Sequence, residues 1–182
     1  AHSHNIPLII DNTVATPYLV RPIGLGADIV VNSSSKYMNG SSNAISGILT
    51  DGGKFKWDKK KYPGMSDYVK YGPMAFVAKL RNGIFRNTGA CLSPVNAYLN
   101  LIGIETLGLR MERECQNALE LAHWIAENYS DIIVNYPGLE SSSWHHVAKE
   151  QFEHGYGAIL TLRVGSKEKA FKFIDSLTIP YI

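Results

Sequence analysis

The 182-residue sequence is 45% hydrophobic and 19% charged, a composition typical of a soluble globular α/β protein and not of a disordered or fibrous one. Its formal net charge of +2 is too small for a nucleic-acid-binding surface, and its dense cationic run, Lys59-Lys60-Lys61, is predicted to be a solvated loop. No apolar run approaches the roughly 20 residues that are needed to span a bilayer.

Three short apolar runs near the start of the chain predict strands, at residues 7–11, 27–31 and 45–50. The hydrophobicity of the first two runs is continuous and does not alternate, which is typical of strands covered on both faces in a mostly parallel sheet. Residues 54–72 are polar, aromatic and glycine-bearing, and we expect a long surface excursion there.

Helical signals dominate the middle of the chain. Ser93-Pro94 predicts a helix start, with a hydroxyl cap followed by proline at the first helical position. Beyond Gly103, apolar residues recur at helical spacing and predict one long amphipathic helix that ends near Asn128. The following elements are predicted to be a strand, a helix, a strand and a helix, at residues 132–134, 144–152, 158–164 and 167–177.

This order of elements predicts three regions. We expect residues 1–75 to be the C-terminal part of one α/β domain, residues 76–130 to be connecting helices, and residues 131–182 to be the beginning of a smaller α/β domain. The sequence begins without methionine and both of its ends fall within or near predicted strands, so we expect an internal segment of a longer polypeptide.

The stretch "VVNSSSKYMNG", residues 30–40, places three serines and Lys36 directly after a strand. Asp11 ends an earlier strand. Ligands of α/β proteins collect at such strand ends, where hydroxyls and backbone amides can bind a phosphate. Pyridoxal phosphate needs such a phosphate site, a lysine that reacts with its aldehyde and a carboxylate that pairs with its protonated ring nitrogen. Lys36 and Asp11 are residues of these two types.

Several long motifs resemble the Cys/Met-metabolism family of pyridoxal-phosphate enzymes. They are "DNTVATPYLVRP", "GADIVVNSSSKYMNG" and "LSPVNAYLNLIGIETLGLRMER", with "DGGKFKW" and "KLRNGIFRNTGACLSP" closest to its O-acetylhomoserine sulfhydrylase subgroup. The resemblance implies an aspartate-aminotransferase-like (fold type I) α/β fold and a transferase activity. That activity is the replacement of the γ-acetate of O-acetylhomoserine by sulfide or a small thiol, giving homocysteine or methionine.

The resemblance also assigns residues. It implies that Lys36 is catalytic and forms the Schiff base with pyridoxal 5'-phosphate, that Asp11 pairs with the pyridinium nitrogen, and that Ser33 and Ser35 hold the phosphate. For Thr13, a place on the cofactor face and a packing role both stay open. Where the family commonly has a histidine after its "K-[YF]-x-x-G" turn, this chain has Ser41, which removes any role based on that histidine.

The same family implies further features of the whole enzyme. We expect a cytoplasmic homo-oligomer, a dimer of dimers, that binds small-molecule substrates and neither nucleic acid nor membrane. The two cysteines have no C-x-x-C spacing, in keeping with a reducing compartment. An aromatic residue over the cofactor and part of the phosphate cup are expected before residue 1, and the arginine for the substrate carboxylate after residue 182, so we expect this segment alone to be inactive.

Other interpretations stay open at this point. Cystathionine γ-synthase, cystathionine γ-lyase and methionine γ-lyase share the assigned lysine and aspartate, and a non-catalytic binding or assembly role is a second alternative. Arg81 and Arg86 could meet an anionic substrate, although surface ion pairs are the commoner role of such arginines. Two histidine clusters lack acidic or cysteine neighbours at zinc spacing, so we predict no metal site; they are His2 with His4 and His145 with His146.

Overall fold

The computed structural model describes residues 1–179; the end of the last predicted region, residues 180–182, lies outside them. The chain folds as two compact units, one of residues Ala1–Gly108 and the other from Leu109 onward. This boundary lies inside the region from residue 76 to 130 that the sequence marks as connecting helices. Among residues 1–179, no helix is both long and apolar enough to cross a membrane.

The first unit contains a three-stranded sheet of β1 (Ile9–Asp11), β2 (Ile29–Asn32) and β3 (Ile48–Asp51), in the spatial order β1-β2-β3. β1 runs parallel to β2, with Asp11 aligned to Val31. β3 runs antiparallel to β2. All three strands fall within or beside the predicted apolar runs, so the predicted strands of this unit are confirmed.

The expectation of a mostly parallel sheet, covered on both faces, holds for part of this sheet. Residues 33–47 connect β2 to β3 by turns without a helix, and a parallel connection needs a longer crossover, usually helical. The central strand is buried, with Ile29 only 1% exposed, whereas Ile9 in β1 is 55% exposed and Leu49 in β3 is 38% exposed. The burial predicted from continuous hydrophobicity is therefore confirmed for β2, whereas β1 is largely exposed.

Short helices and turns fill the rest of the first unit. They are α1 (Thr16–Leu19), 3-10 turns at His2–His4, Pro63–Met65 and Val69–Met74, α2 (Ala75–Leu80), a π turn at Arg81–Phe85, and α3 (Arg86–Thr88). Within the predicted excursion, Trp57 stacks on Phe76 with the ring centroids 5.7 Å apart and meets Tyr62 edge-on. The aromatic side chains of this surface segment therefore pack against one another and against α2.

α4 (Pro94–Glu105) begins where the sequence predicts it. The Ser93 hydroxyl accepts a hydrogen bond from the Asn96 amide at 3.2 Å, and Pro94 occupies the first turn, where its missing N–H is not needed. Gly103, in the last turn of α4, is buried. A Cβ atom at this position would lie 2.7 Å and 2.8 Å from the backbone C and Cα of Asn39, and closer still to its carbonyl oxygen. α4 thus touches the turn that follows Lys36.

The long helix α5 (Leu107–Asn128) ends at the predicted residue and begins at the unit boundary. The second unit continues with β4 (Ile133–Asn135), α6 (His145–Gln151), β5 (Thr161–Arg163) and α7 (Lys167–Asp175), with β4 antiparallel to β5. The predicted apolar face of α5 is buried, and it includes Ala118 and Ala122. The predicted order of elements is confirmed here.

Tyr136 lies at the centre of the second unit's core, together with Ala118, Ala122 and Leu139. Its side chain is fully buried, and its hydroxyl donates a hydrogen bond to the Gly157 carbonyl at 2.8 Å. Burial raises the pKa of the Tyr136 phenol above its ordinary value, because the charged phenolate is disfavoured away from water.

Candidate active site

The residues predicted to bind a cofactor follow β1 and β2 at one edge of the sheet. β1 ends at Asp11 beside Val31 of the parallel strand, and the Asn12 amide donates to the Val31 carbonyl at 2.8 Å. Parallel strands direct their carboxyl ends to the same edge, which is where α/β proteins bind ligands. The loop of residues 33–46, here called the lysine loop, leaves β2 at this edge.

A chain of hydrogen bonds joins three of the predicted residues. The Thr13 backbone amide donates to the Asp11 carboxylate at 3.0 Å, and the Thr13 hydroxyl accepts from the Ser33 amide at 2.8 Å. The pKa of the Asp11 carboxyl is lowered chiefly by a hydrogen bond with the Thr13 side chain, and then by the one with the Thr13 backbone. Both bonds favour the carboxylate form, so Asp11 is negatively charged at neutral pH.

Lys36 lies in a turn directly after these residues. Its amide donates to the Ser33 carbonyl at 3.2 Å, and its own carbonyl accepts from the Gly40 amide at 2.8 Å. The Lys36 side chain is exposed and that of Ser33 is half-buried. The hydrogen bonds of Ser33 among residues 1–179 run through its backbone, which leaves its hydroxyl for another partner.

The Ser35 hydroxyl differs from this expectation, because it is already engaged within the chain. It donates to the Ser46 carbonyl at 3.0 Å and accepts from the Ser46 amide at 2.8 Å. A hydroxyl has one proton to donate, so Ser35 can donate to a phosphate only after releasing the Ser46 carbonyl. The amides of Ser33, Ser35 and Lys36 also donate within the protein and are not spare phosphate ligands here.

Ser46, at the end of the lysine loop, and Asn100 of α4 hold the loop by hydrogen bonds, and the sequence predicted a role for neither. Ser46 accepts hydrogen bonds at its hydroxyl from Ser34 at 2.7 Å and from the Asn100 amide group at 2.8 Å. Asn100 lies on α4, far from the loop in sequence, so no local spacing could reveal this contact. Ser34 is fully buried.

The hydrogen bonds described above do not include the remaining candidates. His2 pairs with the buried carboxylate of Asp28 at 2.7 Å, and Nδ1 of His145 lies 2.9 Å from the Pro137 carbonyl. Among residues 1–179 no group of three or more histidines, cysteines or acidic residues is placed to hold a metal ion. Arg81 and Arg86 lie on the helical segment that runs through the π turn.

The chemistry of these side chains fits pyridoxal phosphate. Asp11 supplies an exposed carboxylate whose charge is favoured and which suits a protonated ring nitrogen. Lys36 supplies an exposed primary amine for an aldehyde. Ser33 supplies a hydroxyl for a phosphate. A chain of hydrogen bonds connects all three. The Thr13 amide donates to the Asp11 carboxylate, the Ser33 amide donates to the Thr13 hydroxyl, and the Lys36 amide donates to the Ser33 carbonyl.

Comparisons with known proteins agree with this fit. The family model of the Cys/Met metabolism PLP-dependent enzymes matches residues 1–182. An O-acetyl-L-homoserine sulfhydrylase of Corynebacterium glutamicum is 40% identical over 98% of this chain and 44% of its own length. A homocysteine/cysteine synthase of Saccharomyces cerevisiae is 38% identical over 96% of this chain and 42% of its own length. The chain therefore spans less than half the length of these relatives.

A solved structure gives the same result for the fold. It is an O-acetylhomoserine sulfhydrylase from the methionine biosynthetic pathway of Wolinella succinogenes, which matches with a TM-score of 0.80 and 44% identity over 98% of this chain and 51% of that one. The expected aspartate-aminotransferase-like (fold type I) α/β fold is thereby confirmed. With a family match over its whole length, the chain belongs to the Cys/Met metabolism PLP-dependent enzymes.

Proposed function

We propose that the protein replaces the acetate of O-acetylhomoserine with sulfide or a small thiol to give homocysteine or methionine. One observation carries this proposal: relatives of that activity match 98% of the chain in sequence and in structure. The hydrogen-bonded arrangement of Asp11, Thr13 and Ser33 beside Lys36 supports it, because these groups complement the cofactor of the family.

When bound, pyridoxal phosphate supplies an aldehyde that reacts with amines and a ring that draws electrons from the substrate α-carbon. In our proposal Lys36 holds that aldehyde through Nζ. The Lys36 Nζ would also be the base that takes the proton from the substrate α-carbon and the acid that later returns a proton. A lysine suits both tasks because its site can lower its pKa.

Asp11 has an electrostatic role in this proposal. Its carboxylate would pair with the ring nitrogen and favour the protonated form of that nitrogen, since a nearby negative charge favours the protonated form of a base. Thr13 orients the carboxylate and favours its charged state through the bonds described above. The two interpretations left open for Thr13 then become one, in which it supports the cofactor residue without touching the reacting atoms.

The phosphate contacts are unequal. Ser33 can donate its hydroxyl directly, while Ser35 first has to give up its bond to the Ser46 carbonyl. We therefore propose Ser33 as the main phosphate ligand of this loop. Ser35 becomes a ligand only when the phosphate competes with the protein for its proton.

The wider features of the enzyme are proposals as well. We propose that residues 1–75, 76–130 and 131–182 belong to a cofactor domain, connecting helices and a smaller domain, and that the enzyme is a homo-oligomer, a dimer of dimers. We propose a cytoplasmic location, supported by the two cysteines, which are both free thiols.

The test is an assay of the purified full-length protein with O-acetylhomoserine and sulfide. We expect homocysteine to form, and we expect a visible absorbance band from the lysine-linked cofactor. Lys36→Ala removes the band and lowers kcat by at least about 10³-fold, and Asp11→Asn lowers kcat by about 10²-fold. Lys59→Ala, at an exposed lysine in the solvated loop, is the matched control and retains activity.

The same assay separates the alternatives. Turnover of cystathionine or methionine without homocysteine formation would assign the protein to one of the related γ-family enzymes instead. A wild-type protein that binds no cofactor would point to the non-catalytic role. Either result would reject the proposed reaction.

A further inference from the structure

Ser46 is the last residue of the lysine loop and forms several of the hydrogen bonds that hold it. Its hydroxyl accepts hydrogen bonds from Ser34 and from Asn100 of α4. Its backbone amide and carbonyl both bond to the hydroxyl of Ser35. One residue thus connects α4 to the two serines that immediately precede Lys36.

Asn100 carries a buried polar atom that lowers the stability of the fold. It is 5% exposed, and its amide nitrogen donates to Ser46 at 2.8 Å and to the Asn96 carbonyl at 2.9 Å. Its side-chain oxygen is buried and has no hydrogen-bond partner in the part of the chain that the structure describes. A buried unsatisfied oxygen lowers stability, and an apolar residue of similar size avoids that loss. Two hydrogen bonds offset this loss, and the one to Ser46 joins α4 to the lysine loop.

Few residues separate Ser46's partners from Lys36, and backbone hydrogen bonds hold the turn between them. The Ser34 carbonyl accepts from the Asn39 amide at 3.0 Å, and the Ser33 carbonyl accepts from the Lys36 amide at 3.2 Å. Ser34 and Ser35 are the two residues between Ser33 and Lys36, and the hydroxyls of both are hydrogen-bonded to Ser46. A movement of Ser46 consequently shifts the backbone from which the Lys36 side chain extends.

We propose that Ser46 and Asn100 are positioning residues, which hold the lysine loop so that the Lys36 amine meets the cofactor aldehyde in one orientation. This inference rests on the proposed function, because it needs Lys36 to be the residue that binds the cofactor. It goes beyond that function by assigning a role to two residues other than those proposed to hold the cofactor.

The experiment compares Ser46→Ala and Asn100→Leu in the full-length protein. Visible circular dichroism of the bound cofactor reports its orientation. Stopped-flow absorbance, after adding pyridoxal phosphate to the cofactor-free protein, reports how fast Lys36 reacts. We expect an altered dichroic band and reaction about tenfold slower in both variants, the change expected from losing one or two hydrogen bonds. We also expect Asn100→Leu to stay folded with a melting temperature near that of the wild type, because removal of the unpaired oxygen offsets the two lost hydrogen bonds.

Two controls complete the design. Ser46→Thr keeps the hydroxyl and should restore the wild-type band. Ser41→Ala makes the same chemical change in the same loop, at an exposed residue whose hydrogen bond runs through its backbone amide, and should leave band and rate unchanged.

The outcomes distinguish this inference from the proposed function. If the wild type binds cofactor through Lys36 but Ser46→Ala and Asn100→Leu match it in band and rate, the positioning role is overturned and the function stands. Unfolding of both variants would also overturn it, because the two residues would then be structural. If the wild type shows no band that depends on Lys36, the proposed function itself has failed and the inference fails with it.

Discussion

The substitution Gly103→Ala, which adds one methyl group to α4, tests the contact between this helix and the lysine loop. In Gly103→Ala the new Cβ lies 2.7 Å from the backbone carbon of Asn39 and 2.8 Å from its Cα, distances that real Cβ atoms do not show. Both atoms belong to the backbone, so no rotation of a side chain can relieve the clash. Either α4 or the turn after Lys36 has to move.

The magnitude follows from two opposing effects. Alanine in a helix interior is favoured over glycine by about 1 kcal/mol. Overpacking a closed site costs about 1–3 kcal/mol, and the upper value applies here because the clash involves backbone atoms. The net result is a loss of about 2 kcal/mol in the free energy of unfolding. With a urea m value of about 1–3 kcal/mol/M, the midpoint falls by roughly 0.7–2 M.

Urea unfolding followed by far-UV circular dichroism measures this midpoint. Gly83→Ala is the matched control, because it makes the same change in the π turn, where a Cβ atom meets nothing within 4 Å. We expect the control to keep or slightly raise the midpoint and Gly103→Ala to lower it and to weaken cofactor binding. Equal midpoints for the two variants would show that α4 does not press on the lysine loop, and the packing argument would be wrong.

Two further predictions concern one residue in each unit. In Thr13→Val the pKa of Asp11 rises toward its ordinary value, because the bond that favours the carboxylate is lost. The acid limb of the kcat/KM profile then moves to higher pH, since the neutral carboxyl cannot hold the ring proton. In Tyr136→Phe the free energy of unfolding falls by about 1–2 kcal/mol, because a buried carbonyl loses its donor. The wild-type protein loses stability above about pH 10, where the tyrosine ionises only in the unfolded state, and the phenylalanine variant lacks that loss.

Each of these has a conservative control. Thr13→Ser keeps the hydroxyl and should keep the wild-type acid limb, so a shift in the serine variant equal to that of valine would contradict the hydrogen-bond explanation. Tyr129→Phe removes a phenol hydroxyl from an exposed position in the second unit and should leave the unfolding free energy unchanged. A Tyr136→Phe protein as stable as this control would mean that the bond to Gly157 contributes nothing.

Local sequence signals predicted the start of α4 and the extent of α5, because each depends on residues close together in the sequence. Ser93 caps α4 through its side chain, and the apolar spacing of α5 predicted both the length of that helix and its buried face. Asp11, Thr13 and Ser33 could be grouped because parallel strands end together, a property that the continuous hydrophobicity of the first two strands already indicated.

The sequence did not predict contacts that depend on distant residues. The direction of β3 depends on the turns of the lysine loop, which carry no clear pattern of their own. The bonds of Ser46 to Ser35 and Asn100 join positions 11 and 54 residues apart. A serine and an asparagine in these places look like ordinary polar residues until the fold brings them together.

The tightly held turn after Lys36 also protects the chain from chemical ageing. Asn39-Gly40 is an asparagine–glycine pair, which deamidates when the glycine nitrogen attacks the asparagine amide carbon. Here the Gly40 nitrogen donates to the Lys36 carbonyl at 2.8 Å, and the Asn39 side chain, 1% exposed, is held by the amides of Ser41 and Asn43. The folded loop thus slows the conversion of Asn39 to aspartate, which would place a new carboxylate three positions from Lys36.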